Sequence, residues 1–128
     1  MPHLSIEYSA NLDRIFDMAD FCDHLRATAV NLDIFPAAGV RVRALAAQHY
    51  SIADGNPAHG FVDISVRLRG GRDLAARKHA TALLFAAAEA YLAPVMAARP
   101  LALSMEMRDI DPELSPKAGT IRDHLRSA

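Results

Sequence analysis

The 128-residue sequence predicts an α+β fold in which two β-α-β units form one four-stranded sheet with two helices on one face. Three observations predict it. Short runs alternate apolar and polar residues, as half-buried strands do. Two longer stretches carry apolar residues at helical spacing. The order is strand, helix, strand, and the same order begins again about 60 residues later.

The first strand is His3-Leu-Ser-Ile-Glu-Tyr8, followed by a turn at Ser9-Ala-Asn11. Residues 17–32 read as a helix with Met18, Phe21, Cys22, Leu25 and Ala29 on one stripe. Pro36 and Gly39 oppose helix continuation, so residues 34–39 are a connection. Residues 40–52 are strand-like, with Val40, Val42 and the following Ala-Leu-Ala on one face and Arg41 and Arg43 on the other. Asp54-Gly-Asn-Pro57 is a turn cluster. In residues 61–68, Val62, Ile64, Val66 and Leu68 share one face, and Phe61, Asp63, Ser65 and Arg67 share the other. Gly70-Gly71 ends that strand, and Asp73 is placed to cap a helix reaching about residue 98. Leu74, Arg77, Thr81, Leu84, Ala88, Tyr91 and Val95 recur there at helical spacing. Leu101, Leu103 and Met105 alternate with Ala102, Ser104 and Glu106 in a last strand over residues 101–107. The tail, residues 112–128, ends in one short helix over residues 120–126.

This length supports one domain, with pseudo-repeat units at about residues 2–52 and 61–107. Right-handed crossovers place both helices on the same side of the sheet. The other sheet face then needs cover in so apolar a chain, and association with identical chains supplies it. Apolar residues are 52% and charged residues 23%, with a net charge of -1, so neither a nucleic-acid nor a membrane partner is expected. Glu89 and Pro94 interrupt the longest apolar stretch, which argues against a membrane span. One cysteine, Cys22, excludes an internal disulfide and reads as a buried small hydrophobe. No leader peptide is legible at the start, which makes the cytoplasm the expected location.

Four features carry chemistry. Pro2 follows the initiator, and removal of Met1 leaves a secondary amine at the start of a strand. Burial disfavours an ammonium, and a neutral secondary amine is a good general base. A proline at this position is otherwise incidental. Arg41 and Arg43 can bind carboxylates through paired hydrogen bonds, or simply form a solvated strand face. Gly70-Gly-Arg-Asp-Leu74 at a strand-to-helix junction admits a ligand close to the backbone, although most glycine pairs only make the turn. Six histidines, His3, His24, His49, His59, His79 and His124, are scattered without metal-site spacing. No nucleotide loop or serine-hydrolase elbow is present.

The blocks Met1-Pro2-His3, Ile34-Phe-Pro-Ala-Ala-Gly-Val-Arg41, Ala53-Asp-Gly55, Phe61-Val62, Gly71-Arg-Asp-Leu74 and Leu101-Ala-Leu-Ser104 resemble the 5-carboxymethyl-2-hydroxymuconate isomerases of the tautomerase superfamily. The resemblance runs from Pro2 to about Pro116. It implies a homotrimer, a catalytic amino-terminal proline at Pro2, and substrate carboxylates bound by Arg41 and Arg72. It also implies a small-molecule carboxylate substrate from homoprotocatechuate breakdown, with no metal or organic cofactor. Another tautomerase activity on an unsaturated keto acid, or a non-catalytic ferredoxin-like anion-binding module, are the competing readings.

Overall fold

The computed structural model describes residues 2–125; Met1, and with it the expectation of its removal, lies outside the described residues, as does Arg126. The strands are β1 (His3–Ser9), β2 (Arg41–Ala47), β3 (Gly60–Arg69) and β4 (Leu101–Ile110), and the helices are α1 (Met18–Val30) and α2 (Leu74–Ala98). The sheet order is β2-β1-β3-β4. Each β-α-β unit forms a parallel pair, and the units join through antiparallel β1 and β3. Both helices pack on one face, as the order of elements predicts.

The period-two pattern decides which side chains meet the helices. Leu4, Ile6 and Tyr8 point inward with Val62, Ile64, Val66 and Leu68. Val42, Ala44 and Ala46 flank them on β2, and Leu103, Met105 and Met107 on β4. Phe21, Leu25 and Ala29 cover this layer from α1, which the Asp17 carboxylate caps by accepting from Ala19 and Asp20 N–H. Asp73 caps α2 by accepting from Ala76 N–H at 2.8 Å. The Tyr91 hydroxyl ties the helices together by donating to Asp20 Oδ2 at 2.6 Å.

Four expectations are corrected. β2 ends at Ala47 and not near residue 52, because the segment from Gln48 leaves the sheet for the turn at Asp54-Gly55. Strict alternation turns Leu45 outward beside Arg41 and Arg43, where it is 65% exposed. The buried stripe of α2 is Ala80, Leu84, Ala88 and Leu92, and Leu74 is exposed. In a helix this rich in alanine, spacing fixes a stripe poorly. By length and composition alone α2 could cross a membrane, and its buried stripe packs on the sheet. In the tail, a single 3₁₀ turn (Ile121–His124) stands where residues 120–126 were expected to be helical.

The open sheet face also departs from the apolar surface that the trimer argument assumed. Its first cross-strand row is Arg41, His3, Arg67 and Arg108. The next is Arg43, Ser5, Ser65 and Glu106, and the third is Leu45, Glu7, Asp63 and Ser104. Arg108 donates to Ser65 Oγ at 3.1 Å and Ser104 to Asp63 Oδ1 at 2.7 Å. This face is hydrophilic and basic at the end where β1 begins.

Candidate active site

Pro2 enters the fold immediately before β1 and is fully buried. Its carbonyl accepts from the backbone N–H of Arg41 at 3.2 Å, which continues the parallel β1–β2 ladder by one residue. That ladder fixes the distance between the start of the chain and the start of β2. The connection before Arg41 closes with a 3₁₀ turn (Ala37–Gly39), whose Gly39 N–H donates to Pro36 O at 2.9 Å. The proline-glycine punctuation legible in the sequence thus delivers Arg41 beside Pro2.

His3 lies between two guanidinium groups. Arg43 Nη1 is 3.1 Å from His3 Nδ1, and Arg41 Nη1 is 3.5 Å from His3 Nε2. Burial lowers the His3 pKa, and the charges of Arg43, Arg67 and Arg41 lower it further, so the imidazole is neutral at pH 7. A neutral ring accepts at one nitrogen only. The shorter of the two contacts is that of Arg43 with Nδ1, and which ring nitrogen accepts depends on the tautomer.

Because folding disfavours the charged ring, the unfolded chain binds more protons just below pH 6.5. His3 therefore contributes stability above pH 6.5, and that contribution is lost as pH falls below it. A His3→Asn chain should show a shallower fall in melting temperature between pH 7 and pH 5 than wild type. Parallel melting curves for the two would remove this assignment.

A cleft of about 350 Å³ opens at this end of the sheet face. His3, Arg41, Arg69 and Ile110 form its floor, and Pro112, Ser115, Pro116, Lys117 and Ala118 of the tail form its roof. A second cleft, of about 290 Å³, lies on the other side of Arg41 and includes Gly39, Lys117 and Arg122. Among the described residues, neither cleft is lined by a carboxylate. The first is suited to a small molecule with several negative charges.

Of the residues singled out in the sequence, Pro2 and Arg41 come together. Arg72 does not join them within one chain: it sits in the β3–α2 turn, donates from Nη1 to Arg69 O at 3.0 Å, and lines neither cleft. Gly71 has φ +112°, so the glycine pair makes the turn that the sequence allows. That Arg69, Lys117 and the tail line this cleft was not legible, because no local pattern tells where a proline-rich tail folds. No group of three His, Cys, Asp or Glu side chains that could hold a metal occurs among the described residues.

A family model described as 5-carboxymethyl-2-hydroxymuconate isomerase matches residues 2–125. The chain is 31% identical over 121 residues to the 5-carboxymethyl-2-hydroxymuconate Delta-isomerase of Escherichia coli, covering 94% of this chain and 96% of that one. A crystal structure of a 5-carboxymethyl-2-hydroxymuconate delta-isomerase superposes with a TM-score of 0.91 at 32% identity, covering 100% of this chain and 95% of that chain. The 5-carboxymethyl-2-hydroxymuconate isomerase from Deinococcus radiodurans R1 superposes at 0.89 and 30% identity, covering 98% and 95%. More distant matches, such as a fused 4-OT trimer at 21% identity and a TM-score of 0.65, share the fold. The chain is an isomerase and belongs to the 5-carboxymethyl-2-hydroxymuconate isomerase family.

Proposed function

We propose that this chain converts 5-carboxymethyl-2-hydroxymuconate to its 2-oxo isomer, with Pro2 as the proton carrier. The observation that carries this reading is the backbone bond from Arg41 to the carbonyl of the buried Pro2, with Arg41 also lining a cleft that, among the described residues, carries cationic side chains and no carboxylate. With Met1 removed, the secondary amine takes the proton of the 2-hydroxyl. The C2–O bond becomes a carbonyl, the double bonds shift to leave one at C3–C4, and the amine returns a proton to C5. Burial and the nearby guanidinium both disfavour the ammonium and favour a neutral base. Arg41 and Arg72 are the proposed carboxylate-binding residues, each acting as a bidentate donor. One base and fixed positive charge suffice, so the reaction needs no metal or organic cofactor.

A homotrimer completes this reading. The sheet offers an unpaired edge at each of β2 and β4, and such edges favour pairing with another chain. Arg72, which lines neither cleft, would then be free to serve a neighbouring chain's site. The proposed setting is cytoplasmic breakdown of homoprotocatechuate. Fractionation of source cells checks the location; activity found only with membranes would exclude it.

The test is a spectrophotometric assay of ketonisation, run on the Met1-free chain beside Pro2→Ala and Arg72→Ala, with sedimentation on the same samples. Wild type should turn over and sediment as a trimer. Both variants should be slower, Arg72→Ala by roughly tenfold or more. Absence of turnover in the trimeric, Met1-free chain would sink the proposed substrate. A stable active monomer would sink the trimer.

A further inference from the structure

His3 opens β1, directly after Pro2. Parallel register sets it opposite Arg41 of β2, and antiparallel register sets it opposite Arg67 of β3. Each ring nitrogen faces a guanidinium: Nδ1 that of Arg43 at 3.1 Å, and Nε2 that of Arg41 at 3.5 Å. A guanidinium donates and never accepts. Burial and the surrounding arginines keep the ring neutral at pH 7, so it carries one N–H and one lone pair. In either tautomer the lone pair serves one arginine, and the ring N–H meets the other, donor against donor. That second pair has no hydrogen bond of its own, and an oxyanion accepting from both members supplies two.

Access decides which pair a ligand reaches. His3 and Arg41 both line the first cleft, and Arg43 lines neither cleft. With His3 Nε2 and Arg41 Nη1 3.5 Å apart, one oxygen can lie about 2.9 Å from each. Arg41 has five N–H donors, so this contact adds to those it already makes. With the proton on Nε2, Nδ1 accepts from Arg43, and both ring nitrogens are partnered.

We propose that a substrate carboxylate sits between His3 and Arg41, accepts from both, and fixes the ring as the Nε2–H tautomer. This rests on the carboxylate-binding reading of the cleft. The bond from Arg41 N–H to Pro2 O holds this seat at a set distance from the start of the chain. A neutral imidazole suits the place, because it adds a donor beside Arg41, Arg43 and Arg67 without adding a further like charge. His3 is then a substrate-binding residue, and Pro2 moves the proton.

The test uses the intact, Met1-free protein at neutral pH, with glutarate as an unreactive probe. Nitrogen NMR of the imidazole ring, assigned by the signals lost in His3→Gln, reports the tautomer with and without glutarate. The complex should hold Nε2–H, with its proton signal moved by the new bond. His3→Phe keeps a planar ring without donors and should weaken glutarate about tenfold or more. His3→Gln, whose amide reaches as far as Nε2, should recover most of that affinity. In the isomerase assay His3→Phe should raise KM more than it lowers kcat, since the contact is made before and during proton transfer. An Nδ1–H ring in the complex, or ring signals that glutarate does not move, would overturn the proposal, even if His3→Phe loses affinity by displacing Arg41. Unchanged glutarate affinity in His3→Phe would overturn it as well. A wild type that binds glutarate with these ring signals, yet fails to turn over 5-carboxymethyl-2-hydroxymuconate, would overturn the proposed reaction and leave the His3 contact standing.

Discussion

Chains that retain Met1 are expected to ketonise the enol about 10²–10⁴-fold more slowly than processed chains, the range that a positioned general base contributes. The reason lies in one bond. With Met1 attached, the nitrogen of Pro2 is an amide, and its lone pair is delocalised into the carbonyl. It then neither takes the hydroxyl proton nor returns one to carbon. The fold itself should persist, because Pro2 is buried through its ring and tied to β2 through its carbonyl, neither of which needs a free nitrogen. Mass spectrometry separates the two forms, and the same assay compares them. In the processed chain the rate should rise as pH passes through the pKa of the terminal amine. Equal turnover from both forms would exclude the Pro2 nitrogen as the base.

The second large effect is expected at Arg41. Arg41→Ala should lower kcat/KM on the tricarboxylate by roughly tenfold to a hundredfold, since a charged hydrogen bond contributes about 1.5–3 kcal/mol. The loss should be smaller on a monocarboxylate, which asks less of the cleft. Arg41→Lys should recover only part of the loss, because an ammonium cannot reproduce the planar fork. Wild-type kcat/KM in Arg41→Ala would remove Arg41 from the site.

What the sequence made legible follows from the range of the interactions involved. The strands were legible because Leu4, Ile6, Val62, Ile64 and Val66 alternate with polar residues, and alternation is local. The caps Asp17 and Asp73 are local too. The end of β2 was not, because Gln48 to Ile52 could extend the strand in isolation and only the turn beyond pulls it away. The polar character of the open face was written in Arg41, Arg43, Asp63, Ser65 and Arg67, yet the assembly argument treated that face as apolar on overall composition. Pro2 and Arg41 were singled out through motif and resemblance, and the structure joins them by a backbone hydrogen bond. Arg69 and Lys117 were not, because their place depends on where residues 111–122 lie on a sheet assembled from distant parts of the chain. Arg43 read better as a solvated face, and its contact with His3 exists only across the β1–β2 pair.

The doubled architecture gives the chain two related corners. At one, β1 begins at His3 opposite Arg41; at the other, β3 begins at Gly60 opposite Leu101. Because β1 and β3 run antiparallel, these corners lie at opposite ends of the sheet. The counterpart of Pro2 is His59, which is flanked by peptide bonds on both sides and whose Nε2 lies 2.7 Å from Asp54 Oδ1. The counterpart of Arg41 is a leucine. At these two counterpart positions the second corner carries a histidine and a leucine, although its backbone repeats the first. A repeated fold can copy a pocket's frame but not a chain end, since a polypeptide has only one amino terminus. An enzyme that takes its base from that terminus has one reactive corner per chain, and can gain further sites only by adding chains.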